Sequence, residues 1–169
     1  MICSPISEQL KVHLSPGQLI VTRDSQVVVT VLGSCVAVTM FERGSGLAAI
    51  CHAMLAEPPA GARLPDGDPT RFRYMTEVMP AMVGAFRRAG ILPCTIEVKI
   101  FGGGNVIGVS RAANPNWIGG ANVDVARRLL EDAGLVVIAE NTGGRCGSKI
   151  LFNTATGVVL HKHLRNPRP

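Results

Sequence analysis

Short apolar runs alternate with polar turn signals through the first third of the chain. The runs occupy residues 18–22, 27–32, 36–41 and 47–52 and are rich in β-branched side chains. Asp, Ser, Gly and Arg residues cluster in the gaps, a pattern typical of turns between strands. We therefore predict four successive β-strands.

A loop rich in proline and glycine separates these strands from a predicted helix. Residues 57–69 contain four prolines and two glycines, so we expect an irregular surface loop there. Asp68 is predicted as the helix N-cap, Pro69 as its first residue and Gly90 as its end. The apolar side chains recur at helical spacing and are predicted to face the core: Phe72, Met75, Met79, Met82, Val83 and Phe86.

The second half of the chain adds further strand patterns and one more helix. Residues 95–100 alternate between polar and apolar and predict a half-exposed strand. Residues 119–133 have helical spacing up to Gly134, and residues 135–139 then predict a buried strand. The runs 149–153 and 158–163 flank a loop that ends in glycine and predict a hairpin. Because the strands are grouped at both ends of the chain, we expect an α+β fold with mixed sheets and two main helices.

Composition narrows the class of protein. The chain has 169 residues, 47% of them hydrophobic, which favours a single domain with its own core. No apolar run approaches the length of roughly 18 residues typical of a membrane span, and no secretory signal opens the chain. Five cysteines without framework spacing favour reduced thiols. We expect a cytoplasmic protein without membrane insertion.

The net charge of +5 favours acidic partners. Many of the basic residues fall in residues 63–73 and in the tail at 162–168. Aromatic residues are few, and none are interleaved with basic ones as stacking platforms for single strands would require. We therefore do not expect nucleic-acid binding.

The strongest candidates for chemistry are Cys35 and His52. Cys35 follows a Gly-Ser turn between two predicted strands, and His52 ends the next strand pattern. Antiparallel pairing would bring them to the same edge of the sheet, where an imidazole can activate a thiol. Spacing alone leaves a more common interpretation open, in which Cys35 is a small buried side chain and His52 a core histidine.

The remaining motifs are weaker. Cys51 adjoins His52 on a strand, so it should face the opposite side and pack in the core. The glycine clusters at 101–105 and 143–149 favour tight turns and close backbone approach over an anion cradle. No Cys-x-x-Cys pair occurs, and we expect no metal and no cofactor.

Several motifs in register resemble the chemoreceptor glutamine deamidase family, CheD. The resemblance covers about residues 15–164 and leaves 1–14 as an N-terminal extension and 165–169 as a basic tail. It implies a single deamidase domain with an α/β layered sandwich, related to the catalytic domain of the cytotoxic necrotizing factor toxins. The motifs are LGSCVAV at 32–38, HAML at 52–55, FGGG at 101–104, Ile118-Gly119, Asn122 and TGGR at 142–145.

The resemblance also implies a catalytic set and a reaction. Cys35 would be the nucleophile, His52 the general base and then acid, and Thr30 the residue that orients His52. Backbone N–H groups near Gly33 and Ser34 would bind the substrate oxygen as the thiolate attacks a glutamine carboxamide. Ammonia would leave, and water would then release glutamate.

Partners also follow from the resemblance. The implied substrates are glutamines in the cytoplasmic domains of methyl-accepting chemotaxis receptors, and the CheC phosphatase is a further candidate partner. Two alternatives stay open at this point. One is a docking module that regulates receptors or CheC without turnover, and the other is a hydrolase of receptor glutamyl methyl esters.

Overall fold

Two β-sheets and a pair of helices stack in three layers. The structure, a computed structural model, describes residues 10–68, 70–106 and 117–164. Nine strands form a four-stranded sheet in the order β1-β3-β8-β9 and a five-stranded sheet in the order β2-β5-β4-β6-β7. The elements are β1 Leu10–His13, β2 Leu19–Thr22, β3 Gln26–Leu32, β4 Val36–Glu42, β5 Leu47–Cys51, α1 Met75–Arg88, β6 Ile96–Gly102, α2 Ile118–Asp132, β7 Val137–Thr142, β8 Ser148–Asn153 and β9 Val159–His163.

Both sheets are mixed. β1 runs parallel to β3, and β6 runs parallel to β7, whereas the other neighbouring strands are antiparallel. With two main helices, this confirms the predicted α+β fold.

The five-stranded sheet is the middle layer because its central strands are buried on both faces. On β4, Val36 and Val38 pack with α1 and α2, while Ala37 and Phe41 face the four-stranded sheet. Successive side chains of a strand point to opposite faces, so a strand covered on both sides reads as one apolar run. β5 is buried along its whole length for the same reason.

Most predicted elements are confirmed. The four strand patterns at the start correspond to β2, β3, β4 and β5, the late hairpin is β8 with β9, and α2 ends before Gly134. Residues 57–68 contain no helix or strand. Among the described residues, no helix combines the length and the hydropathy that crossing a membrane requires.

The start of α1 differs from the prediction. Asp68 does not cap the helix: its carboxylate accepts a hydrogen bond from the Thr70 N–H at 2.8 Å, in a turn. A short 3₁₀ helix, Arg71–Arg73, follows, and α1 begins at Met75 with Tyr74 as its N-cap. Pro69 lies outside the described residues.

Strand-like pairing explains the later start. Tyr74 forms an isolated parallel bridge with Leu55, and the N–H groups of Met54 and Leu55 both donate to the Arg73 carbonyl. Tyr74 is therefore held in an extended conformation, with φ −100° and ψ 132°, through which a helix cannot run.

The strand predicted as buried at residues 135–139 is an exposed edge strand. β7 lies at the edge of the five-stranded sheet; Ile138 in this strand is 55% exposed, and Val136 just before it is 72% exposed. The apolar run suggested a strand buried on both faces. An edge strand has a neighbouring strand on one side only, and the side chains of Val136 and Ile138 are exposed to solvent. The prediction of a buried strand was wrong in this respect.

The sequence pattern did not predict β1. Its four residues fall in the segment expected to be an N-terminal extension, yet they pair with β3 along their whole length. The next residue, Leu14, is 4% exposed and packs between the sheets. A strand this short and this exposed has no periodic signal to read.

Candidate active site

Cys35 lies where the chain crosses from one sheet to the other. β3 belongs to the four-stranded sheet and β4 to the five-stranded sheet, so residues 33–35 form the connection between them. The Cys35 side chain is half-buried and packs against the apolar layer between the sheets. This position gives the thiol a buried side and a side near the surface.

The structure brings His52 to the same face and the same end of the sheet as Cys35. Val36 and Ala53 exchange two backbone hydrogen bonds of 2.9 Å, and both side chains face the helices. Cys35 and His52 each precede one member of this pair, so both face the four-stranded sheet. They are diagonal neighbours across the pair, as the strand pattern predicted. Cys51 faces the helices and is buried in the core, also as predicted.

Thr30 reaches His52 from the opposite sheet. The Thr30 Oγ1 lies 2.7 Å from Nδ1 of His52 and donates its proton to the carbonyl of Leu14 at 2.8 Å. A hydroxyl has one proton to donate, so Oγ1 must accept a hydrogen bond from Nδ1–H of His52. The hydrogen-bond network thus assigns the His52 proton to Nδ1.

The other ring nitrogen of His52 is available as a base. The side chain is 2% exposed, and Nε2 has no hydrogen-bond partner within the described residues. Burial lowers the pKa of His52 to about 4, with the Leu14 carbonyl acting in the opposite direction. His52 is therefore neutral at pH 7, and Nε2 carries the unprotonated lone pair.

The thiol of Cys35 is also neutral at rest. Burial raises the pKa of Cys35, and a hydrogen bond from its own backbone N–H partly offsets this. Cys51 is less reactive still, because full burial raises its pKa to about 12. The resting groups are accordingly a neutral thiol and a neutral imidazole with no hydrogen bond between Cys35 and Nε2 of His52, rather than a thiolate–imidazolium pair.

The glycine run that ends β6 holds the turn around Cys35. The Gly103 N–H donates to the Cys35 carbonyl, and the Gly104 N–H donates to the Gly33 carbonyl, each at 2.8 Å. Gly102 has φ +100°, and a Cβ there would lie 2.3 Å from the Cys35 oxygen. Only glycine allows this approach without strain.

Gly33 and Ser34, the predicted substrate-binding residues, lie in the same turn. The N–H groups of Gly33, Ser34 and Cys35 donate no hydrogen bond to any backbone carbonyl among the described residues. Within the described residues, no backbone carbonyl competes with a substrate oxygen for these N–H groups.

Asn122 is a contact that sequence reasoning did not assign. Its Nδ2 donates to the Ser34 carbonyl at 3.1 Å and to the Met54 carbonyl at 2.9 Å, and its side chain is fully buried. The family resemblance included Asn122 without giving it a role, and its spacing was a second signal, since Asn122 lies one turn before Ala126 on the buried face of α2. One side chain thus joins the segment before Cys35 to the segment after His52.

A groove and a cleft border this region. The groove, of about 650 Å³, is lined in part by Leu55, Ile118 and Asn122. The cleft, of about 560 Å³, is lined in part by Arg127 and Arg145. Within residues 10–68, 70–106 and 117–164, no group of three or more His, Cys, Asp or Glu side chains is arranged to hold a metal ion.

Comparison with known proteins identifies the family. The family described as "CheD chemotactic sensory transduction" matches residues 54–163. A protein of Geobacter sulfurreducens named probable chemoreceptor glutamine deamidase CheD 2 is 44% identical over 153 residues, which cover 90% of this chain and 89% of that protein. A probable chemoreceptor glutamine deamidase CheD of Oleidesulfovibrio alaskensis is 43% identical, covering 92% of this chain and 73% of that protein.

A solved structure shares the fold at low sequence identity. The crystal structure of Bacillus licheniformis hypothetical protein YfiH matches with a TM-score of 0.50 and 16% identity, over 75% of this chain and 51% of that one. This likeness concerns the fold alone. The family match over residues 54–163 and the two relatives, which each align with at least nine-tenths of the chain, show that the chain belongs to the CheD family.

Proposed function

We propose that this protein is a cysteine-dependent deamidase that converts glutamine side chains of methyl-accepting chemotaxis receptors to glutamate with release of ammonia. The relatives are named as probable chemoreceptor glutamine deamidases, which gives the reaction and the substrate class. The observation that carries the proposal is the hydrogen bond between Thr30 and His52. It leaves Nε2 of His52 as an unprotonated base on the sheet face that Cys35 shares.

In the first half-reaction, Cys35 forms a thioester. Nε2 of His52 takes the thiol proton as Sγ attacks the side-chain carbonyl carbon of the glutamine. Because both resting groups are neutral, this proton transfer accompanies the formation of the C–S bond. N–H groups of the turn at residues 33–35 stabilise the oxyanion that develops. The protonated His52 then gives its proton to the amide nitrogen, the C–N bond breaks, and ammonia leaves.

In the second half-reaction, water releases the product. His52 removes a proton from water as the water oxygen attacks the thioester carbon, and a second oxyanion forms. When this intermediate collapses, the C–S bond breaks and the proton on His52 returns to the Cys35 sulfur. The product is a glutamate side chain, and the enzyme regains its starting protonation state. No step requires a cofactor, because Cys35 carries the acyl group itself.

The positive net charge of the chain suits an acidic receptor substrate. The chain carries a formal charge of +5, and an acidic receptor region would be attracted to it. Charge of this kind chiefly raises the rate of encounter. The cytoplasm is the compartment we propose, because the reaction needs a reduced Cys35, and the receptor domains to be modified lie there.

Mass spectrometry of a receptor cytoplasmic fragment tests the proposal. We expect wild-type protein to raise the mass of the fragment by about one dalton per modified glutamine, as an amide becomes an acid. Cys35→Ala should abolish this gain while leaving the fold intact. Cys94→Ala is the matched control, since Cys94 is an exposed free cysteine outside the site, and it should retain activity.

Other outcomes would identify the alternatives. A fragment that binds the wild-type protein without any gain in mass would favour the docking module. Methanol released from methylated receptor, with no ammonia from the amidated form, would favour the esterase. Full activity in Cys35→Ala would exclude the cysteine mechanism.

Two finer inferences from the family resemblance remain proposals. The first is kinship with the catalytic domain of the cytotoxic necrotizing factor toxins, and superposing the two folds on Cys35, His52 and Thr30 is the test. The second is binding to the CheC phosphatase, for which titration calorimetry with the purified proteins is the measurement.

A further inference from the structure

We propose that Asn122 is a positioning residue that builds the oxyanion hole by holding the Ser34–Cys35 peptide in one orientation. The inference rests on the proposed cysteine mechanism and adds a residue to it. Asn122 belongs to α2, far in sequence from both Ser34 and Met54, and none of the candidate catalytic side chains lies on that helix.

The orientation of the Asn122 amide is unambiguous. Nδ2 lies 3.1 Å from the Ser34 oxygen and 2.9 Å from the Met54 oxygen. Both partners are carbonyls and accept only, so the NH₂ group must face them. An amide has two N–H donors, and these two bonds use both.

Holding the Ser34 carbonyl also fixes the direction of the next N–H. The peptide bond between Ser34 and Cys35 is trans, so its C=O and its N–H point in opposite directions in one plane. The Ser34 oxygen points to α2 and Asn122. The Cys35 N–H therefore points away from α2, where it meets no backbone acceptor among the described residues.

The Cys35 N–H is then directed to the position that catalysis requires. It belongs to the same residue as Sγ and lowers the pKa of that thiol, so the donor lies on the residue that attacks. When Sγ bonds to a carbonyl carbon, the carbonyl oxygen lies one bond away from that carbon and within reach of the same N–H. The second bond of Asn122, to Met54, ties this peptide to the strand pair that carries His52.

The unpaired atom of Asn122 supports a functional reason for the residue. Its Oδ1 is buried and has no hydrogen-bond partner within the part of the chain that the structure describes. A buried acceptor without a partner is costly for stability and is rare in native proteins. A helix residue chosen for packing alone would be apolar here, like its neighbours Val123 and Ala126.

The test compares two reactions of the same thiol. Alkylation of Cys35 by iodoacetamide builds no oxyanion, whereas acylation by p-nitrophenyl acetate or by a receptor glutamine does. We expect Asn122→Ala to lower kcat for receptor deamidation about 10²-fold, with KM within about threefold. Ester turnover should fall similarly. The alkylation rate at pH 9, where part of the thiol is ionised, should stay within about threefold of wild type.

Control variants separate positioning from general loosening. Leu129→Ala removes a partly buried side chain from the same helix and should leave the ratio of acylation to alkylation unchanged. Asn122→Ser keeps one donor and should give an intermediate kcat. It also provides a second test if Asn122→Ala does not fold.

Each result decides the inference. Equal losses of acylation and alkylation, or unchanged deamidation in Asn122→Ala, would overturn it. The ester is a substrate that needs no receptor, and activity of Cys35→Ala is subtracted as background. If wild type cleaves the ester but releases no ammonia from receptor, the deamidase function fails while the role of Asn122 is still measured.

Discussion

At the scale of single residues, the decisive feature is where His52 carries its proton. The Thr30 hydroxyl donates its only proton to the Leu14 carbonyl, so it must accept from His52, and the His52 proton is fixed on Nδ1. Nε2 is left as the base. Burial keeps the ring neutral, because desolvation penalises the imidazolium.

This environment predicts an unusual pH dependence. The pKa of His52 is lowered to about 4, so the basic form persists well below the usual histidine range near pH 6.5. We expect kcat/KM to hold its plateau down to about pH 5.5 and to fall as the pH approaches 4. Steady-state ammonia release across this range is the measurement. An acidic limb centred near pH 6.5 would contradict the buried, neutral ring.

The lowered pKa of His52 also makes the stability of the fold depend on pH, so the fold must be monitored as a control. The unfolded chain binds the His52 proton below about pH 6.5, and the folded chain binds it only near pH 4. The contribution of this group to stability is therefore complete above pH 6.5 and is lost as the pH falls through 4. Circular dichroism at each pH separates loss of activity from loss of fold.

Thr30 provides the second prediction at this scale. Thr30→Val keeps the shape of the side chain but removes the acceptor of Nδ1–H and the donor to Leu14. We expect kcat to fall about 10- to 100-fold, because the ring loses its fixed tautomer and orientation. The free energy of unfolding should fall by about 1–3 kcal/mol, because two buried polar atoms lose their partner. Thr30→Ser keeps the hydroxyl and should recover most of both, as measured by ammonia release and urea unfolding.

At the scale of elements, the end of β6 acts as a support for the turn that carries Cys35. Residues 102–104 give this strand a close approach to the turn that no side chain would allow. The glycines that appeared in the sequence as loop formers thus set the position of the nucleophile.

Gly102→Ala tests this support. Its Cβ would lie 2.3 Å from the Cys35 oxygen, at φ +100°, so the turn must move or the strand must distort. We expect at least a tenfold loss of kcat and a loss of about 1–3 kcal/mol in the free energy of unfolding. Gly46→Ala is the matched control, because Gly46 has φ +67° but no atom within 4 Å of its added Cβ. It should lose stability without losing activity; equal loss of activity in both variants would argue against the contact.

The elements that sequence reasoning found were those with a strong local pattern. β4, β5 and α2 each show a continuous apolar run or helical spacing, and the Cys35–His52 arrangement follows from pairing two adjacent strands. The Thr30 contact joins different sheets, so the sequence alone gave it only through family resemblance. The role of Asn122 and the start of α1 depend on tertiary hydrogen bonds, which no local pattern encodes.

At the scale of the whole molecule, the site draws on both sheets and on one helix. Thr30 comes from the four-stranded sheet, His52 from the five-stranded sheet and Asn122 from α2. β1 contributes as well, because it leads into Leu14, whose carbonyl completes the chain of hydrogen bonds to His52.

Removal of β1 tests this dependence and the domain boundary near residue 15. A chain that begins at Ser15 lacks β1 and Leu14, so β3 loses its parallel neighbour and Thr30 loses its acceptor. We expect this chain to be less stable in urea and to lose most deamidase activity. A chain that begins at Leu10 keeps the strand and is the matched control. Wild-type activity in the shorter chain would place the functional boundary at residue 15, as the family resemblance implies.

The crossing of the chain between the sheets at Cys35 has a consequence in time as well as in space. β3 needs β8, more than a hundred residues later, for its antiparallel neighbour, so the layer that holds Thr30 against His52 closes only when nearly the whole chain is present. Until then His52 lacks the hydroxyl acceptor that fixes its proton on Nδ1, so we expect an unfinished chain to acylate Cys35 slowly. When refolding is followed in time, ester turnover should therefore return no earlier than the hydrogen-exchange protection of the β8 amides.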